Sequence, residues 1–191
     1  MRLNVGIIGA GAVGGYFGGK LCRLISTHGL KVFFVARGQH LNAIRQDGLL
    51  VQTVTDGDWI CRPTLATDDF KDLPMLDVCL VCVKAYDLLQ VVRNLRPCVS
   101  PATAIIPLLN GIDIYERMRA EMEKPRIFPA CTYIGAHIAA PGVIAQRGGD
   151  CRILFGSDPQ SPEIKPHFVF ELFEQSGIGY QWLDTVSSAL W

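Results

Sequence analysis

Short apolar runs alternate with amphipathic segments along the chain as far as Arg126. The runs are typical of buried parallel strands and lie at residues 3–8, 32–35, 78–83 and 103–109. After Lys84, apolar side chains recur at intervals of three and four residues, from Leu88 to Leu95, which is typical of a helix. Strands that alternate with helices predict an α/β fold with a parallel sheet.

After Arg126 the pattern changes to strands that follow one another without helices between them. They are predicted at residues 127–134, 136–140, 143–146 and 151–155, with the turn Pro141-Gly142 joining the middle two. Consecutive strands of this kind imply an antiparallel extension of the sheet.

Two further elements are predicted from turn and capping residues. Residues 49–54 and 59–65 flank Asp56-Gly57 and predict a structural hairpin. Ser161 as the N-cap and Pro162 at the first helical position predict a helix that ends at Gly177, before a last strand at residues 180–183.

The first strand leads directly into the glycine cluster Gly9-x-Gly11-x-x-Gly14 and then into a helix. Gly9 would allow a tight turn, Gly11 would let the backbone approach a pyrophosphate, and Gly14 would bring the helix close to the sheet. The unpaired N–H groups at the helix start favour an anion without any charged side chain. With a second strand at residues 32–35, the segment forms most of a βαβ unit and predicts dinucleotide binding.

Additional glycines inside this helix indicate close packing, because each costs about 1 kcal/mol relative to alanine. They are Gly15, Gly18 and Gly19. The fold class predicted from these patterns together is a Rossmann-type doubly wound parallel sheet extended by antiparallel strands.

Arg37 ends the second strand, near the position at which this fold contacts the adenosine ribose. An acidic residue there would select NAD, whereas a guanidinium offers a bidentate fork to a ribose 2′-phosphate. The predicted cofactor is therefore NADP. The alternative is an arginine exposed at a strand end.

Lys84 and Asn110 follow the third and fourth strands of the parallel set. Loops at the carboxyl ends of such strands form the ligand crevice of an open α/β sheet. The amide of Asn110 can donate and accept hydrogen bonds at once, which suits a carboxamide or a carbonyl. The alternatives are a solvated surface lysine and a turn asparagine before Gly111.

Composition narrows the functional classes. Lys+Arg and Asp+Glu both number 18, so nothing predicts a nucleic-acid partner. No apolar run reaches the 18 residues of a membrane span, and the glycines between Gly6 and Gly19 would break the core of a signal peptide. We expect a soluble, cytoplasmic domain without a membrane partner.

The seven cysteines are odd in number and several lie in apolar runs, which predicts reduced thiols. Cys79-x-x-Cys82 is the one spacing that suggests a metal site or a redox pair. Residues three apart on a strand point to opposite faces, and the sequence has no second C-x-x-C and no H-x-x-x-H. We predict no metal site.

Four motifs together resemble the ketopantoate reductase (2-dehydropantoate 2-reductase) family. They are Gly9-Ala10-Gly11-Ala12-Val13-Gly14, Val35-Ala36-Arg37, Val83-Lys84-Ala85-Tyr86-Asp87 and Leu108-Leu109-Asn110-Gly111. The later segment Thr132-Tyr133-Ile134-Gly135-Ala136 is similar to the antiparallel extension of that family. The resemblance covers the whole chain.

The resemblance implies NADPH-dependent reduction of 2-dehydropantoate to pantoate, a step of pantothenate and coenzyme A synthesis. It places the glycine loop on the pyrophosphate, Arg37 on the 2′-phosphate and Lys84 on the adenosine or ribose side. It also places Asn110 near the nicotinamide and the substrate, as the catalytic residue, and Ala136 in the lining of the cofactor site. A small-molecule 2-oxo acid is the expected substrate, and a homo-oligomer is left open.

One departure from the family lies at the end of the sequence. In the family a segment like that at residues 187–191 leads into a catalytic lysine and a helical C-terminal domain, which this sequence lacks. We expect residues 1–191 to be the cofactor half, inactive alone. The alternatives are a reductase of another 2-oxo acid and an NADP-binding sensor or interaction module without catalysis.

Overall fold

The computed structural model describes residues 3–184 and 186. In chain order, the strands and helices are β1 (Asn4–Ile8), α1 (Ala12–Cys22), α2 (Ile25–His28), β2 (Lys31–Val35), α3 (Gly38–Asp47), β3 (Leu49–Gln52), β4 (Trp59–Cys61), β5 (Leu65–Thr67), β6 (Val78–Val81), α4 (Leu88–Leu95), β7 (Ala104–Pro107), α5 (Ile114–Glu121), β8 (Arg126–Ile127), β9 (Ala130–Thr132), β10 (Gly135–Ala140), β11 (Val143–Gly148), β12 (Arg152–Gly156), α6 (His167–Ser176) and β13 (Gly179–Leu183). Among these residues no helix is both long and apolar enough to cross a bilayer.

Six strands form a parallel sheet in the order β5-β2-β1-β6-β7-β8. The chain leaves β1 toward β2 on one side and later returns to β6 on the other, so the order reverses between β1 and β6. In open α/β sheets the carboxyl ends of the strands at such a switch point border a crevice.

The two faces of the parallel sheet carry separate apolar clusters, as the strand pleat requires. On one face Ile7 and Phe34 pack with α1, α3 and α6, and on the other Val81 and Ile105 pack with α4 and α5. Helices thus cover both faces, which confirms the predicted Rossmann-type doubly wound fold.

The strands outside the parallel set form two smaller sheets. One has the order β10-β11-β3-β4, with β10/β11 and β3/β4 antiparallel and β11/β3 parallel. The other has the order β13-β12-β9, with β12 antiparallel to β9. The predicted antiparallel strands are therefore present, but they are hydrogen-bonded within these two smaller sheets and not to the six-stranded parallel sheet.

Helix α1 lies between the parallel sheet and the four-stranded sheet, and its glycines face both. A Cβ added at Gly18 would lie 2.7 Å from the Phe34 ring in β2, and one added at Gly15 would lie 2.7 Å from Ile144 in β11. Gly19 makes the same close approach to β3. The close packing predicted from these glycines is confirmed, and it occurs on two sides of the helix.

Two predicted strands are each divided in the structure, and both breaks fall at a proline. The strand predicted at residues 59–65 becomes β4 and β5, which belong to different sheets, with Pro63 between them. The strand predicted at residues 127–134 becomes β8 and β9, with Pro129 between them. Proline has no N–H for a strand ladder, and this favours a change of partner there.

The predicted start of the last helix is wrong. Helix α6 begins at His167 after Pro166, whereas Ser161 lies in a turn in which its N–H donates to the Asp158 carbonyl. A proline at position 166 disfavours helical geometry at the residue before it, so a helix from Ser161 cannot run through this point unbroken. The predicted end at Gly177 is confirmed, with φ of 67°.

Asp158 holds three segments together from a buried position. Its carboxylate pairs with Arg119 of α5 at 2.6 Å, and it accepts hydrogen bonds from the Ile127 N–H at 2.9 Å and the Tyr115 hydroxyl at 2.7 Å. The side chains of Asp158 and Arg119 are 2% and 10% exposed. Removing one member of such a pair leaves the other charge buried without compensation.

We expect Asp158→Asn to lower the free energy of unfolding by about 3 kcal/mol or more, because the guanidinium of Arg119 loses its charged partner. Urea denaturation followed by circular dichroism measures the change. The matched control is Asp150→Asn, which breaks an ion pair with Arg152 whose side chains are 64% and 44% exposed. That control should cost less than about 1 kcal/mol. Equal losses in the two variants would contradict the importance of burial.

Candidate functional site

A large cleft opens at the carboxyl ends of the parallel strands, across the switch point between β1 and β6. Its volume is about 1030 Å³. One wall consists of the loops after β1, β2, β6 and β7, and the opposite wall consists of β9, β10 and the residues between them. Cofactor clefts of α/β sheets lie at this edge.

The cleft brings together nearly all of the residues predicted for the site. Those that line it are Gly9, Ala10, Gly11, Ala12, Val13, Arg37, Lys84, Asn110 and Ala136. Gly14 is the exception, since it lies under the loop against the sheet. The structure therefore supports the grouping of these residues, and their binding roles remain predictions.

The conformation of the glycine loop is compatible with the separate roles predicted for Gly9, Gly11 and Gly14. Gly9 has φ of 96°, a conformation that favours glycine, and its N–H donates to the Val35 carbonyl. Gly11 is the N-cap of α1, and a Cβ added there would find its nearest neighbour, the Ile138 Cδ1, at 4.0 Å. A Cβ added at Gly14 would collide with the Gly9 carbonyl oxygen. Close packing thus requires Gly14, while Gly11 leaves the cleft side of the loop open.

Arg37 lines the cleft and pairs with an acid that was not predicted to be its partner. Its Nη2 donates to Oδ2 of Asp87 at 2.9 Å, which joins the end of β2 to the start of α4. The Arg37 side chain is 77% exposed. An exposed pair of this kind contributes at most about 1 kcal/mol, so the guanidinium can exchange its partner for another anion.

Lys84 and Asn110 are both exposed to solvent and line the same cleft, as predicted. The loop that carries Lys84 is fixed by two hydrogen bonds: the Asp87 N–H donates to the Lys84 carbonyl, and Arg117 of α5 donates to the Ala85 carbonyl at 2.8 Å. Because these bonds use the main chain, the Lys84 amine stays available to a ligand.

His40 lines the cleft and was missed by the sequence analysis. Its Nε2 lies 2.9 Å from the Ala10 carbonyl oxygen, and the Gly142 N–H donates to its Nδ1 at 3.1 Å. Burial lowers the pKa of His40. The signal in the sequence was a histidine three residues after Arg37, on the first turn of α3.

Cys79 lies within β6 and Cys82 directly after it, and burial raises the pKa of both thiols. A protonated thiol is a poor metal ligand and a poor nucleophile. Within residues 3–184 and 186, no three His, Cys, Asp or Glu side chains lie where they could hold a metal ion together.

Comparison with known sequences gives the family. A sequence profile described as Ketopantoate reductase PanE/ApbA matches residues 5–160. The chain belongs to this ketopantoate reductase family. The match includes the glycine loop, Arg37, Lys84, Asn110 and Ala136.

Individual relatives are similar along most of the chain. YkpB of Bacillus subtilis, an uncharacterized oxidoreductase, is 30% identical over 150 residues, which cover 78% of this chain and 47% of YkpB. A 2-dehydropantoate 2-reductase of Mesorhizobium japonicum is 24% identical, with coverage of 99% and 62%. The crystal structure of 2-dehydropantoate 2-reductase from Porphyromonas gingivalis W83 has a TM-score of 0.88 at 36% identity.

These similarities extend over only part of each relative. The alignment with the Porphyromonas gingivalis structure covers all of this chain and 67% of that protein, and the two sequence relatives are covered to 47% and 62%. The chain thus spans about half to two thirds of the length of these relatives. Residues 187–191, on which the expectation of a following catalytic lysine rests, lie outside the described residues.

The two glycines at the start of α1 should respond differently to substitution by alanine. Gly14→Ala places a methyl group against main chain that cannot move aside, and we expect a loss of about 2 kcal/mol or more in the free energy of unfolding. Gly11→Ala has open space and φ of −80°, and should cost less than about 1 kcal/mol. Thermal or urea unfolding of the 191-residue chain measures both. A Gly14 variant as stable as the Gly11 variant would contradict the packing role.

Proposed function

We propose that this chain is the cofactor-binding part of an NADPH-dependent 2-dehydropantoate 2-reductase of pantothenate and coenzyme A biosynthesis. The observation that carries the proposal is one cleft, at the switch point of the sheet, in which a glycine-rich helix start lies with Arg37, Lys84 and Asn110. Family membership and the activity named for the relatives support it. The proposed location is the cytoplasm.

The glycine loop fits the pyrophosphate of a dinucleotide. Gly11 presents no side chain toward the cleft, so main-chain N–H groups at the start of α1 are accessible to phosphate oxygens. The loop itself carries no acidic side chain that would repel a phosphate. Ala10, Ala12 and Val13 border the same space and would contact the ligand through main chain and small side chains.

Arg37 is proposed to bind the 2′-phosphate, which would make NADPH the preferred cofactor. The guanidinium has five N–H donors, and Asp87 occupies Nη2, so donors remain for a phosphate. A dianionic phosphate makes stronger, bidentate bonds to arginine than a single exposed carboxylate does. The position at the end of β2 is the one at which this fold contacts the adenosine ribose.

Lys84, Asn110 and Ala136 are proposed to surround the ribose and nicotinamide portions. Lys84 would bind a phosphate or a ribose hydroxyl, and the Asn110 amide would orient the carboxamide or the keto oxygen. When bound, NADPH would supply a hydride to the keto carbon. Ala136, half-buried in β10, leaves room for a ring on the opposite wall.

The remaining parts of the reaction are proposed to lie outside residues 1–191. We assign the proton donor and the groups that bind the 2-oxo acid to a helical domain, in line with the additional length of the relatives. The proposal is tested first by titrating the 191-residue chain with NADPH. In a protein that also contains the helical domain, NADPH oxidation should depend on 2-dehydropantoate and exceed that with other branched 2-oxo acids.

Arg37→Ala should weaken NADPH binding about ten- to hundredfold, because charge-assisted bonds of about 1.5 to 3 kcal/mol are lost. NADH has no 2′-phosphate, and its affinity should stay nearly constant. Calorimetric titration of each cofactor against the chain gives both values.

The control for this variant is Arg62→Ala, which removes an exposed arginine that does not line the cleft. It should leave both affinities unchanged. If Arg37→Ala weakened NADPH and NADH equally, Arg37 would be a structural residue and the assignment of NADP would lose its main support.

Lys84→Ala and Asn110→Ala should impair catalysis in different ways in the protein with its helical domain. Lys84→Ala should mainly raise the KM for NADPH, because it removes binding shared by the ground and transition states. Asn110→Ala should also lower kcat, since an amide near the hydride controls the approach geometry. Steady-state kinetics separate the two effects. A full kcat in Asn110→Ala, together with a reduced kcat in Lys84→Ala, would show that the two roles are assigned wrongly.

A further inference from the structure

The hydrogen bonds of His40 define the protonation of its ring. A main-chain N–H can only donate, so Nδ1, which receives the Gly142 N–H at 3.1 Å, carries no proton. A carbonyl can only accept, so Nε2, at 2.9 Å from the Ala10 oxygen, carries the proton. Only the neutral ring with its proton on Nε2 makes both bonds at once.

The two bonds connect the two walls of the cleft. Ala10 lies in the glycine loop, and its N–H also donates to the Val35 carbonyl at 2.8 Å, so its peptide groups are held on both sides. Gly142 forms the turn between β10 and β11, and a Cβ there would lie 2.9 Å from Ala43 of α3. His40 thus ties the glycine loop to the hairpin that carries Ala136.

The bond to Ala10 also controls a group that a phosphate would use. In a trans peptide the N–H of Gly11 points opposite to the carbonyl of Ala10. Holding that carbonyl on His40 therefore fixes the direction of the Gly11 N–H, next to the start of α1.

The surroundings of His40 favour its neutral form. Burial lowers its pKa, and the bond to the Ala10 carbonyl partly offsets this effect. The charged side chains that line the cleft with it are Arg37, Asp68, Lys84 and Asp87, and the other titratable ones are Cys82, Tyr86 and His137.

We propose that His40 is a positioning residue for the cofactor: its neutral ring aligns the glycine loop for the pyrophosphate, and a second proton on the ring weakens cofactor binding. The inference rests on the proposed function. The protonated ring would place an N–H at Nδ1 against the Gly142 N–H, so that bond would be lost and the two donors would repel each other. The repulsion would move the ring and weaken its bond to the Ala10 carbonyl as well, which a glutamine at this position does not do. Because the folded protein favours the neutral form, the alignment is complete above the ordinary pKa of histidine and is lost as the pH falls through the lowered value.

Three substitutions separate positioning from a structural role. His40→Gln can keep the donor to the Ala10 carbonyl, His40→Asn can keep only the acceptor for the Gly142 N–H, and His40→Ala keeps neither. At pH 7.5 we expect NADPH affinity within about threefold of the wild type for the glutamine variant and about tenfold weaker for the other two. Unfolding midpoints of all three show whether each variant is folded.

The pH dependence provides the second measurement. The 2′-phosphate of NADPH also titrates, so the informative quantity is the ratio of wild-type to His40→Gln affinity as the pH falls from 7.5 to about 4.5, through the lowered pKa of His40. We expect this ratio to fall about threefold or more, mostly at the acid end because the pKa of His40 is lowered, while the glutamine cannot take up a proton in this range. Nitrogen chemical shifts of the His40 ring in the chain without cofactor should show the neutral form with its proton on Nε2.

The outcomes distinguish the two proposals. Absence of NADPH binding to the wild type at every pH overturns the proposed function and this inference with it. Wild-type binding that His40→Ala matches, or a ratio that does not change with pH, overturns the inference alone. A proton on Nδ1 of the neutral ring also overturns it.

Discussion

The close approach of two sheets to helix α1 is the constraint on which the rest of the structure depends. Gly14 and Gly18 face the parallel sheet, and Gly15 and Gly19 face the four-stranded sheet. Each glycine costs about 1 kcal/mol relative to alanine in a helix, and the burial of large side chains such as Phe34 and Ile144 offsets this cost. A methyl group on either side would push one sheet away from the helix.

This packing also sets the geometry of the cleft. The parallel sheet supplies the loops of one wall, and the four-stranded sheet supplies β10 for the other. Because α1 separates the two sheets, its thickness determines the width between these walls. The helix start lies in the same place, so one element both spaces the cleft and supplies the main-chain N–H groups proposed to bind phosphate.

Charged side chains of both signs line the cleft. Arg37 and Lys84 add positive charge, and Asp87 and Asp68 add negative charge near them. The Arg37–Asp87 pair is exposed and weak, so it holds the guanidinium near the cleft without preventing it from binding a phosphate. His40 acts instead through hydrogen bonds, because both of its ring nitrogen atoms are hydrogen-bonded to main-chain groups.

The sequence by itself determined the parallel α/β core, the glycine loop and the grouping of Arg37, Lys84 and Asn110, because hydrophobic period and strand order place these residues at one edge of the sheet. The tertiary structure determined the features that depend on contacts between residues far apart in the sequence. Pro63 and Pro129 divide predicted strands between different partners, and Asp158 holds residues around Ser161 in a turn. The partners of Arg37 and His40 lie 50 and 102 residues away along the chain, at Asp87 and Gly142. No local pattern specifies such pairs, since they form only when loops from separate strands meet.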